Sequence, residues 1–106
     1  MPRQRDRVGW AEPALLILAS LADGPKHGYA IIKDVEEQTS IKLGPGTLYA
    51  AISRLEDGGL VAALDGDERR RPYRLTAEGQ TVLDERLRAM ARFAHVGLTK
   101  LGVAGA

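Results

Sequence analysis

Between Gly44 and Leu60 the chain reads GPGTLYAAISRLEDGGL, a segment whose two ends are both marked by residues with few other uses. Pro45 presets φ for a first helical position and Gly44 is a permissible N-cap before it, while Gly58 with Gly59 supplies a left-handed residue that stops a helix. The segment therefore predicts one short helix. At helical spacing Leu48, Ala51, Ile52 and Leu55 share a face, opposite Gly46, Ala50, Ser53 and Asp57, with Thr47, Tyr49 and Arg54 on the flanks. A solvated helix face usually carries long charged side chains. This one offers glycine, alanine, hydroxyls, a phenol and one arginine, a surface suited to lying against something wide and flat such as a nucleic-acid groove. An amphipathic helix with a plain exterior fits the same residues.

The flanking segments give that helix a setting. Nearly every position from Ala14 to Ala22 is apolar, predicting a helix from about Pro13 to the Asp23-Gly24-Pro25 break. A helix apolar all round needs cover on every side, and a chain of 106 residues supplies little, so this helix is read as a first sign of a partner subunit. A second helix is expected from about His27 and Gly28 to Gln38, with Tyr29, Ile32 and Val35 along it and Lys33, Asp34, Glu36 and Glu37 toward water. Residues Thr39 to Leu43 form a brief connection to the segment at Gly44, which makes a helix-turn-helix arrangement. After Gly59 the period changes. The apolar run Leu60 to Leu64, the polar loop Asp65 to Arg71 and the alternation Tyr73 to Leu75 predict a β-hairpin with Arg69, Arg70 and Arg71 at its tip.

Thr76 caps a long final helix, with Glu78 in its first turn. Leu83, Leu87, Met90, Ala94, Gly97 and Leu101 recur at alternating four and three residues, and Val82, Ala89, Phe93 and Val96 form a second apolar stripe beside them. One stripe serves the chain's own core and the other is left for a neighbour. The expected architecture is mainly α with a small β-hairpin. It divides into a flexible basic arm over 1–12, a helix-turn-helix unit with its hairpin over 13–76, a dimerisation helix over 77–101 and a frayed tail over 102–106. Leu15, Leu18, Leu83, Leu87, Met90, Ala94 and Leu101 are the expected homodimer contacts.

Composition excludes more than it selects. A formal charge of +1 announces no polyanion, although Arg3, Arg5 and Arg7 crowd the N-terminus and three arginines crowd one loop. The absence of cysteine excludes disulfides and thiolate metal sites. The apolar run follows a basic N-terminus as a signal peptide would, yet Glu12 and Pro13 abut it, and it is too short to cross a bilayer. A soluble cytoplasmic protein without membrane contact is expected. His27 and His95 are far apart in sequence, so no metal site is read, and His27 is taken as a helix-start residue. Gly44 to Gly46 lacks the Lys and Ser or Thr of a phosphate loop, and Asp65 to Glu68 does not meet the ligand positions of an EF-hand. No histidine is placed to activate a nucleophile and no carboxylate pair sits in an apolar pocket, so neither a catalytic residue nor a cofactor is expected.

Three fragments in order carry a resemblance: His27-Gly28-Tyr29; Gly46-Thr47-Leu48-Tyr49 leading to Arg54-Leu55-Glu56 and Gly59-Leu60; and Tyr73-Arg74-Leu75-Thr76 with Gly79. Together they resemble the PadR-like winged-helix transcriptional regulators, from about Ala14 to the end of the last helix. The resemblance implies a dimeric, repressor-like regulator that binds a double-stranded DNA operator, with its third helix in the major groove, its wing beside the backbone and its C-terminal helix making the dimer. By position it places Tyr29, Gly46, Thr47, Tyr49, Ala50, Ser53 and Arg54 at the DNA-facing surface and Arg69, Arg70 and Arg71 at the wing tip. Where the family often carries proline after the Leu-Tyr pair, this chain has Ala50, and a single Tyr73 stands where two aromatics are usual. The short chain looks like the subclass with one C-terminal helix, some of which bind flat aromatic or drug-like effectors at the dimer interface; Trp10, Met90 and Phe93 are the candidates here. The competing reading is a winged-helix module that binds protein and leaves the same face solvated.

Overall fold

The computed structural model describes residues 12–66 and 70–102. The expected arm over 1–12, Trp10 and Arg69 therefore lie wholly or largely outside the described residues, as does most of the tail. Helix α1 (Pro13–Ser20) starts on Pro13 in its first turn and tightens into a 3₁₀ turn at Leu21–Asp23. Strand β1 (Lys26–His27) leads directly into helix α2 (Gly28–Thr39), where His27 is the N-cap and its Nδ1 accepts from the Ala30 N–H at 3.4 Å. Ser40 closes α2 in the left-handed region at φ 66°. Helix α3 (Pro45–Asp57) has the bounds its residues predict, with Gly44 as N-cap and Gly59 at φ 78° turning the chain away. Strands β2 (Val61–Ala63) and β3 (Pro72–Leu75) follow, and helix α4 (Ala77–Lys100) completes the chain.

The hairpin expected from sequence is part of a three-stranded antiparallel sheet in the order β1-β3-β2. Val61 pairs with Leu75 and Ala63 with Tyr73, and on the other edge Lys26 pairs with Tyr73. The added strand is held from below: Lys26 Nζ donates to the Ser20 carbonyl and to Asp23 Oδ1. That hydrogen bond, and then the Lys26 charge, lower the Asp23 pKa, so the pair favours the fold above the ordinary aspartate value and loses its effect in acid.

The core explains why α1 is apolar throughout, and it corrects the expectation drawn from that pattern. α1 packs against α2, α3 and α4 of its own chain, so Leu15, Leu16, Ile17 and Leu18 are all buried in a single protomer. A helix at the centre of three others needs no subunit partner. Leu15 and Leu18 are core residues rather than dimer contacts, and Leu83 joins the same core. Ile17, Ile31, Leu48 and Ile52 are the largest fully buried side chains, each stabilising by about 1.5–3 kcal/mol through removal from water. Ser20, the polar interruption of α1, is buried with its Oγ donating to Asp34 Oδ2 at 2.7 Å. Asp34, expected to face water, is thus turned toward α1 because a buried hydroxyl needs an acceptor.

The junction of α3, the sheet and α4 is tied at several atoms. The Thr76 N–H donates to the Leu60 carbonyl at 3.1 Å and its Oγ1 donates to the Gly59 carbonyl at 2.7 Å, while the same Oγ1 accepts from the Gly79 N–H at 3.0 Å. Gly79 is buried with its Cα against the Leu60 backbone; a methyl group there would collide with the Leu60 carbonyl oxygen and lie 3.1 Å from both the carbonyl carbon and Leu75 Cδ2. Leu83 is the last buried residue of α4. Past Met90 the helix leaves its domain and presents Phe93, Val96, Leu98 and Leu101 to solvent.

Candidate nucleic-acid interface

On α3 the residues chosen from sequence separate by face. Leu48, Ala51, Ile52 and Leu55 are buried, and Gly46, Thr47, Tyr49, Ala50, Ser53, Arg54 and Asp57 are exposed. The charge along the exposed side is graded. No acid lies in the first turn, Arg54 is in the last, and Glu56 and Asp57 close the helix. The start of α3 has no side-chain cap, and a Cβ on Gly46 would meet nothing within 4 Å. Backbone N–H groups at the positive end of the helix dipole are therefore open to approach by an anion, with no long side chain holding a flat surface away.

Tyr29 lies in the first turn of α2 and is 66% exposed, with the Lys33 ammonium 6.0 Å from its ring centroid. Lys33 was not singled out from sequence, although its position four residues after Tyr29 on a predicted helix carries the signal. Between Tyr29 and α3 sits Gly28, covered by the Tyr49 phenol. The fragments His27-Gly28-Tyr29 and Leu48-Tyr49 thus touch, which neither shows alone. Tyr73 on β3 is close by: its burial raises its pKa, and the charges of Glu56 and Tyr49 add to the rise while Arg71 opposes it. Of the wing arginines, Arg70 is exposed and Arg71 half-buried before β3.

Two of the candidate effector residues, Met90 and Phe93, lie on α4. Met90 and Phe93 line a shallow apolar concavity on α4 with Arg86, Ala89 and Ala94, and Arg86 Nη2 pairs with Glu12 Oε1 at 2.9 Å. Leu87, Ala94 and Leu101 of the expected dimer contacts are exposed on the same helix, and Met90 is half-buried. Among the described residues no cluster of three or more His, Cys, Asp or Glu is arranged to hold a metal, and no helix is long and apolar enough to cross a membrane.

Residues 17–85 match the family model described as the transcriptional regulator PadR-like family. The chain belongs to that family. It is 36% identical over 85 residues to the transcriptional regulator Rv3488 of Mycobacterium tuberculosis, an alignment covering 76% of this chain and 78% of the relative. A transposon TN4556 protein of 37.1 kDa from Streptomyces fradiae is 46% identical over 78 residues; this is 74% of the present chain and only 23% of the relative's length. Among solved structures, a PadR family transcription regulator from Clostridium difficile superimposes with a TM-score of 0.73 at 29% identity, covering 86% of this chain and 98% of that one. The three-helix unit with its small sheet and long C-terminal helix is accordingly the PadR-like winged helix, with β2 and β3 as the wing.

Proposed function

We infer that the protein is a homodimeric, sequence-specific DNA-binding transcriptional regulator, acting as a repressor and without a catalytic step. The observation that carries this reading is the exposed side of α3, which is small, neutral and hydrogen-bonding at its uncapped start and acidic only at its far end. Such a helix enters a major groove start-first, with its carboxylates left outside the phosphates. Ala50 and Ser53 then face base edges, while Gly46 and Thr47 lie at phosphate with Tyr29 and Arg54 on the flanks. The wing arginines Arg69, Arg70 and Arg71 contact the adjoining backbone. A regulator of this kind works in the cytoplasm, where the DNA is.

Selection of binding sites from random duplexes tests the reading. The wild type is expected to return one motif with twofold symmetry, and Ser53→Arg a different one, each lost base contact costing about 1–3 kcal/mol. Thr47→Ala is expected to weaken all sequences alike. The same motif from wild type and Ser53→Arg would remove Ser53 from the reading face, and no selection by the wild type would favour the protein-binding alternative.

Salt dependence tests the wing separately. Each arginine on a phosphate adds about 0.9 to the slope of log K against log salt, so a dimer with two wings loses up to about 5 when Arg69, Arg70 and Arg71 all become alanine. Parallel lines for wild type and triple variant between roughly 50 and 200 mM salt would take the wing off the DNA.

The exposed stripe of α4 supports the dimer, and the concavity at Met90 and Phe93 supports a flat aromatic or drug-like effector that relieves repression. No cofactor enters the scheme.

A further inference from the structure

Gly28 has ordinary helical backbone and no positive φ, so its own conformation does not call for glycine. Its surroundings do. A methyl group at this position would run into the Tyr49 hydroxyl, lie 2.7 Å from the ring Cζ and 3.0 Å from Leu48 Cδ2. Gly28 is consequently buried, although it opens a helix at the surface, because the phenol lies across it. The ring therefore occupies the seam at which α2 and α3 meet, with 44% of the residue left exposed.

We propose that Tyr49 is a positioning residue: its ring, seated on the bare Cα of Gly28, fixes the angle of α3 against α2 and thereby decides which bases the outer face of α3 meets. The proposal rests on the DNA-binding reading above and sharpens it. The residues of that face that meet base edges, Ala50 and Ser53, are too short to search for a partner, so they reach them only where the helix axis carries them. A face built this way depends on a fixed helix orientation, and the Gly28 to Tyr49 contact joins α2 to α3 near the start of both helices.

Four variants decide it: Tyr49→Phe, Tyr49→Ala, Gly28→Ala and the double Gly28→Ala/Tyr49→Ala. The readout is the ratio of affinity for the selected operator to affinity for random duplex at one salt concentration, with thermal melts showing each variant folded. Tyr49→Phe, which keeps the ring, is expected to hold the ratio within about 2-fold of wild type. Gly28→Ala removes no DNA-facing side chain, yet it is expected to lower the ratio about 10-fold, as is Tyr49→Ala. The double variant is expected to be no worse than either single one, because both break the same contact. Equal weakening of operator and random duplex by Tyr49→Phe and Tyr49→Ala, with the ratio unchanged, would make Tyr49 a phosphate ligand and overturn the proposal. Independent, multiplying effects of the two single changes would overturn it as well. If Gly28→Ala does not fold, the comparison of Tyr49→Phe with Tyr49→Ala decides alone. A wild type that selects no sequence brings down the DNA-binding reading and this proposal together; a wild type that selects, with variants that keep its ratio, brings down the proposal only.

Discussion

Gly79→Ala is expected to be among the most damaging single-methyl changes in the chain. The added carbon has to displace the Leu60 carbonyl, a backbone atom held by its hydrogen bond from Thr76, and not the yielding end of a side chain. Overpacking at a rigid site costs about 1–3 kcal/mol and occasionally more, and a backbone obstacle belongs at the upper end. Alanine's better helix propensity returns about 1 kcal/mol at most. In a domain of this size the net loss lowers the melting temperature on the order of 10 °C. Circular dichroism melts of wild type and Gly79→Ala measure it, and a difference of a degree or two would show that the α4 start is looser than its contacts imply.

The second large effect concerns the exposed end of α4. Phe93 is 80% exposed and Leu101 79%, so aspartate at both positions removes apolar surface without touching the core of the protomer. The protomer should keep its helical content while the dimer is lost, since charged side chains on a shared apolar seam remain unpaired in either copy. DNA affinity should then fall about 100- to 10,000-fold, the advantage that two linked half-site contacts hold over one. Sedimentation equilibrium reads the assembly and a gel shift reads the DNA. A double variant that stays dimeric would place the interface elsewhere, and a monomer with wild-type affinity would mean that one copy suffices on the operator.

The sequence was most informative where a residue has one mechanical use. Pro45 with Gly44 and the Gly58-Gly59 pair marked α3 to within a residue, and Thr76 marked the start of α4, because caps and breakers act locally. β1 was not legible: two residues between Pro25 and Gly28 show no alternation, and their partner lies far along the chain on β3. The cover of α1 was misjudged for a related reason, since periodicity reports that a face is apolar and not which distant element lies on it. Gly28 and Gly79 could be seen as glycines but not explained. At both, the absence of a side chain serves close approach, and the approaching group is named only in three dimensions.

The bond network of Thr76 with Gly59, Leu60 and Gly79 has a geometric consequence beyond stability. It clamps the foot of α4 to the end of α3, and from Leu83 to Lys100 the helix continues for roughly 25 Å, mostly free of its own domain. Such a helix is a lever with α3 fixed at its fulcrum. In the proposed dimer, a change of ~10° in the crossing of two such levers corresponds to a displacement of ~4 Å across their length. That is about the rise of one base pair, ~3.4 Å. Under that proposal half-site spacing is measured by an angle between helices, and whatever wedges or relaxes that angle shifts the preferred operator length by about a base pair.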